Sequence, residues 1–177
     1  MQTTHAQAIS KYEEYRKNAR SIAKESLPGF LKKLSLEGID QKALTAFRTW
    51  QDSPDRMVEW DWTFANRYCV RYPKAFDLAV WNQNTLLSLT LGRPTFKGQS
   101  MRLDFIERAP QHSVYAGYLF TVSQIAYETY GRLIGAEYIR IMEPMNEKLI
   151  RYYTSKDLGF TLAPAKQGNP HYLVKKL

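Results

Sequence analysis

A single cysteine, Cys69, and three histidines, His5, His112 and His171, are all the thiols and imidazoles in the 177 residues. A lone cysteine excludes an intrachain disulfide and any multi-cysteine metal site. The histidines stand too far apart in sequence to suggest a metal cluster. No stretch reaches the roughly 18 apolar residues that a membrane span requires, so no membrane partner is expected. The opening MQTTHAQAISKYEEYRK has no apolar core behind a basic start and does not read as a signal peptide. The expected setting is cytoplasmic. Also missing are a G-x-S-x-G elbow, a G-x-x-x-x-G-K loop, an H-E-x-x-H pair and any Cys–His pairing with supporting context. Serine-hydrolase, P-loop and zinc-protease chemistry leave no mark here.

Acidic residues are the minority charge, 17 against 25 Lys and Arg, for a net charge of +8. That balance favours an anionic partner: nucleic acid, ribosome, acidic protein or the phosphates of a nucleotide-type cofactor. The basic residues are scattered rather than gathered in an arginine-rich arm. Apolar residues at 44% and aromatics at 14% are ample for one buried core, so a single domain over 1–177 is expected.

Residues 1–73 read as mostly helical. Ile9, Tyr12, Ala19 and Ile22 repeat at helical spacing over 5–24. After Pro28-Gly29 a short apolar piece, Phe30 to Leu36, has no clear state. Asp40 is placed to cap a second helix carrying Ala43, Leu44, Phe47 and Trp50. Ser53-Pro54-Asp55 predicts a third helix start, with Met57, Trp60, Phe64 and Tyr68 on one side. Trp60 and Trp62 read as core around an exposed Asp61.

From Lys74 the period changes to two. Phe76, Leu78 and Val80 alternate, Asn82-Gln83-Asn84 turns, and Leu87, Leu89 and Leu91 alternate again, which predicts a hairpin. A third strand follows over 100–109. A loop from Arg108 runs into a long helix ending near Ile134, and a strand over 137–143 follows. A strand–helix–strand step of this length predicts that 100–109 and 137–143 run parallel and splay at their C-terminal ends. Pro144 stops the second of them. Asn146 caps a helix bearing Leu149, Ile150, Tyr152 and Tyr153, with Lys156 and Asp157 at its exit, and Gly159-Phe160 opens the last extended pieces around a turn at 166–169.

Strand, proline break, Asn-started helix, paired tyrosines and Gly-Phe resemble the closing half of a GNAT-type N-acyltransferase. The likeness covers roughly 74–174, with the 40–72 helices matching that family's early helical pair. No obvious first strand precedes those helices, and the helix at 5–24 looks like an addition. The resemblance implies an α+β (α/β) fold: a mixed, mostly antiparallel sheet flanked by helices, with 74–177 forming the cofactor cleft. It implies acetyl-CoA or another acyl-CoA as co-substrate and a primary amine as acceptor. Ile106 on the strand before the long helix, Gly117 and Tyr118 in the phosphate turn, and Asn146 would meet the cofactor. Tyr153 would protonate the departing thiolate, with Tyr152 taking the role if the helix register slips. Glu107 would serve as base for the amine, with Asp104 and His112 as further candidates. The phosphate turn is degenerate, since Tyr118, Leu119 and Phe120 stand where a second small residue belongs. A second reading is therefore a catalytically silent GNAT-like module that binds an anionic partner, nucleic acid or protein.

Overall fold

The computed structural model describes residues 4–155, 157–166, 168 and 170–177; Lys156 and two residues of the 166–169 turn lie outside that range. Two four-stranded sheets share one continuous stretch of chain. The first holds β1 (Leu34–Glu37), β2 (Phe76–Asn82), β3 (Thr85–Gly92) and β5 (Phe105–Arg108), all antiparallel, in the order β1-β2-β3-β5. The second holds β4 (Ser100–Leu103), β6 (Tyr138–Met142), β7 (Thr161–Ala163) and β8 (Tyr172–Lys176), in the order β4-β6-β8-β7. There β4 runs parallel to β6 and the other pairs are antiparallel.

Asp104 alone separates β4 from β5, so the single strand expected over 100–109 is two. Its first half pairs parallel with β6, as the crossover argument requires. Its second half leaves for the other sheet. The cause is a bulge: Asp104 N donates to Leu91 O at 3.1 Å although Leu91 is already the register partner of Phe105. Two residues opposite one bend the strand and raise its twist. Gly92 makes the junction fit, because a Cβ there would stand 1.9 Å from the Arg102 carbonyl oxygen.

The N-terminal helix α1 (His5–Ser26) opens with a Thr4–Gln7 capping box. Its Arg16 and Arg20 are buried, and Arg20 Nη2 reaches Asp77 Oδ1 on β2 at 2.6 Å. The other oxygen of Asp77 accepts from Ile39 N at 2.6 Å. The extra helix is thus fastened to the sheet through a fully used carboxylate. The undecided piece after Pro28 is a short 3-10 turn and then β1, the first strand that the apolar pattern did not reveal.

Asp40 caps α2 (Gln41–Phe47) by accepting from Ala43 N at 2.9 Å, as expected. The helix expected from Ser53 does not form. Residues 53–61 are turns and loop, and helix begins only with a 3-10 turn at Trp62 followed by α3 (Ala65–Arg71). Tertiary contacts explain the change. Arg56 donates to Glu107 and to Trp60 O, and the Trp60 ring sits edge-on to Phe105 at 5.0 Å, which pulls the segment open.

The long helix α4 (Leu119–Leu133) crosses both sheets with Val122, Ala126, Tyr127 and Tyr130 completely buried. Tyr127 and Tyr130 donate to the carbonyls of Phe76 and Lys74. Beneath α1, α4 and α5 (Glu147–Tyr153) lies the larger core. A second core fills the space between the first sheet and α2–α3 and includes no residue of the second sheet. Among the described residues no helix is long and apolar enough to cross a membrane.

Candidate active-site cleft

β4 and β6 stay paired as far as Leu103 and Ile141, and beyond that point they diverge. The bulge carries β5 along β3, while β6 runs on to Met142 and turns out at Glu143, whose φ is +45°. A wedge opens between 105–109 and 142–146. In the β3–β5 ladder Ala109 N donates to Leu87 O, so residues 105, 107 and 109 direct their main-chain groups at β3. Ile106 lies between them in the alternation. Its N–H and C=O therefore face the free edge of β5, into the wedge.

The chain runs on from β5 to the start of α4. Helix N-termini leave N–H groups unpaired and carry a partial positive charge, which suits an anion. Gly117 is exposed, and a Cβ built on it meets nothing within 4 Å. The bulky residues that spoil the sequence pattern are directed elsewhere. The Tyr118 ring sits edge-on to Phe30 at 4.8 Å, Leu119 is buried in the core, and Phe120 lies 4.4 Å from the Tyr153 ring.

After β6 comes α5. Asn146 caps it, its side chain accepting from Leu149 N at 3.0 Å. Adjacent helical side chains point about 100° apart, and here the difference decides between the two tyrosines. Tyr153 is 6% exposed and faces inward against Phe120 and Phe160, whereas Tyr152 is 44% exposed. Burial, and then the neighbouring Tyr152, push the Tyr153 hydroxyl up to about 12. It stays protonated across the neutral range and can give a proton but not take one.

Glu107 is not an exposed strand carboxylate. It is buried, and both its oxygens are occupied: Arg56 Nε at 2.5 Å on Oε1, and Trp62 Nε1 at 2.7 Å with Arg56 Nη2 at 3.1 Å on Oε2. It lies on the α2–α3 face of β5. Ile106 and Tyr153 belong to the core on the α4 face, so the proposed acid and base approach the strand from opposite faces. Asp104 accepts from Arg102 and from the Tyr68 hydroxyl. His112 is exposed on the loop between β5 and α4.

Sequence reasoning passed over two arginines. Arg102 and Arg140 are register partners on β4 and β6, on the sheet face turned away from the buried Met101, Leu103, Ile139 and Ile141. Basic residues alternating with core residues on two neighbouring parallel strands were the available signal.

Solved structures supply a comparison for this arrangement. A chimera of the spermidine N-acetyltransferase SpeG from Vibrio cholerae and hSSAT superposes with a TM-score of 0.61 at 15% identity, covering 81% of this chain and 95% of that one. PaiA N-acetyltransferase from Thermoplasma acidophilum, in complex with coenzyme A, gives 0.54 at 14% identity over 81% and 99%. The fold is that of the GNAT-type N-acetyltransferases. Aminoglycoside 6'-acetyltransferase type Ii, with a TM-score of 0.57 at 12% identity over 80% of this chain and 96% of that one, shares the GNAT fold too. No protein-family model matches the sequence, and no curated protein matches it. At these identities the likeness is one of fold.

Proposed function

We propose that the chain is an N-acetyltransferase that moves an acetyl or other acyl group from CoA to a primary amine. The observation that carries this reading is the wedge itself. Among the described residues the β5 edge at Ile106 is unpaired, the glycine at the start of α4 is open, and Tyr153 faces inward from α5. Acyl-CoA supplies an activated thioester. The N–H and C=O of Ile106 hold an extended amide-bearing arm as a strand would hold its neighbour. The turn before α4 receives phosphates through the backbone N–H of the open Gly117, not through Tyr118, whose N–H already donates to Tyr115 O at 2.8 Å, and Asn146 fixes the entrance of α5. The amine nitrogen attacks the thioester carbon, a C–N bond replaces the C–S bond, and the Tyr153 hydroxyl protonates the departing sulfur. Glu107 takes the amine proton; both of its oxygens are occupied, so this requires one Arg56 bond to loosen as the amine arrives.

The test is calorimetry with acetyl-CoA followed by turnover of Tyr153→Phe and Tyr152→Phe. Loss of a general acid is worth roughly 100- to 10,000-fold in rate. We expect that loss in kcat for Tyr153→Phe with acetyl-CoA affinity retained, and near-normal turnover for Tyr152→Phe. Equal turnover in both rejects the tyrosine mechanism. Absence of binding to any acyl-CoA leaves the silent, anion-binding module as the reading.

A further inference from the structure

Among the described residues no helix covers one face of the second sheet. α2 and α3 cover the corresponding face of the first sheet, and their core takes in no residue of β4, β6, β7 or β8. On the bare face Arg102, Arg140, Met142, Lys166 and Tyr172 line an open groove of about 550 Å³. The Arg102 guanidinium is engaged, with Nε and Nη2 on Asp104 Oδ1 at 2.9 and 2.6 Å. Arg140 is different. Among the described residues its buried Nε has no partner and no ion pair uses it. Its guanidinium lies over the Tyr172 ring, 4.4 Å from the centroid.

A half-buried cation that lacks a counter-ion is costly. Held over a tyrosine face, a guanidinium keeps its outer N–H groups for hydrogen bonds to an oxyanion. Met142 joins this groove to the cleft, since it is the residue directly after Ile141, the last β6 partner of β4. We propose that the groove binds an oxyanion, carboxylate or phosphate, carried on the acceptor amine. The Arg140 guanidinium is its anchor, and Lys166 is a second cation at the rim. The word acceptor rests on the acyl-transfer reading; the oxyanion site does not. Spermidine and aminoglycosides are polycations, and a groove that holds Arg140, with Lys166 at its rim, repels them.

The experiment titrates β-alanine, O-phosphoethanolamine and spermidine into the protein by calorimetry, alongside Arg140→Met and Lys166→Ala. Methionine keeps the packing on Tyr172 and removes the charge; Lys166 is exposed, so its variant reports even where the first does not fold. We expect at least one of the two oxyanion-bearing amines to bind and spermidine not to bind, and the stronger of the two identifies the oxyanion. Arg140→Met should weaken that binding at least tenfold and Lys166→Ala several-fold. Tighter binding of spermidine, no binding of either oxyanion amine, or unchanged affinity in the variants overturns the proposal. Acetyl-CoA binding is measured separately. If acetyl-CoA fails while the oxyanion binds, only the acyl-transfer reading falls; the reverse result removes only the groove.

Discussion

Glu107 illustrates how one residue can hold both a structural and a chemical role. Its partner Arg56 is 51 residues upstream, with a side chain only 9% exposed. Removing one member of a buried pair leaves the other uncompensated, at a cost of about 3–5 kcal/mol. Glu107→Gln and Arg56→Met should therefore each lower Tm markedly, and the double variant should recover part of the loss. Turnover separates the roles. If Glu107 only holds the 53–61 loop, the double variant regains activity together with stability. If it takes the amine proton, the double variant stays slow although it is folded. The sequence offered Glu107 as a candidate base or an exposed strand carboxylate, and the structure buries it. Its burial was illegible, because burial depends on Arg56 and Trp62, which arrive from a segment whose capping signals favoured helix.

At the level of elements, strongly periodic segments were readable and junctions were not. The hairpin, the long helix and the Asn146 cap follow from local pattern, since apolar alternation and a capping side chain are encoded within a few residues. The split of 100–109 depends on which neighbour each half meets, and β1 is a strand only because β2 lies beside it. The cleft follows from that split, so its location was legible and its geometry was not. Gly92 tests the junction. A Cβ would press into the Arg102 backbone oxygen, and a backbone atom cannot swing aside as a flexible side chain can. Overpacking typically costs about 1–3 kcal/mol, and in a chain of this size each kcal/mol shifts Tm by roughly 2–4 °C. Gly92→Ala should fall at or beyond the upper end in thermal unfolding. A Tm within a degree of the parent would mean that β3 and β4 do not approach as closely as described.

For the molecule as a whole, the tyrosines of α4 tie the cleft to overall stability. Tyr127 and Tyr130 bury their hydroxyls on carbonyls at the start of β2, and burial raises both above the ordinary tyrosine value. Burial raises Tyr68 as well, with Asp104 adding to it, and it brings Tyr153 to about 12. In each case the folded state favours the neutral phenol, and an unfolded chain ionises near pH 10. Below pH 10 both states are protonated and the stability is fully present. Above it the unfolded chain loses protons that the folded chain keeps, so stability falls as pH rises from about 10 through the raised values. Absorbance titration should show these four tyrosines ionising above the ordinary tyrosine value. Because Tyr153 keeps its proton until the same range, the alkaline loss of activity should coincide with unfolding rather than precede it. Turnover that declines between pH 8 and 9.5 while circular dichroism stays native would place the controlling group elsewhere than on Tyr153.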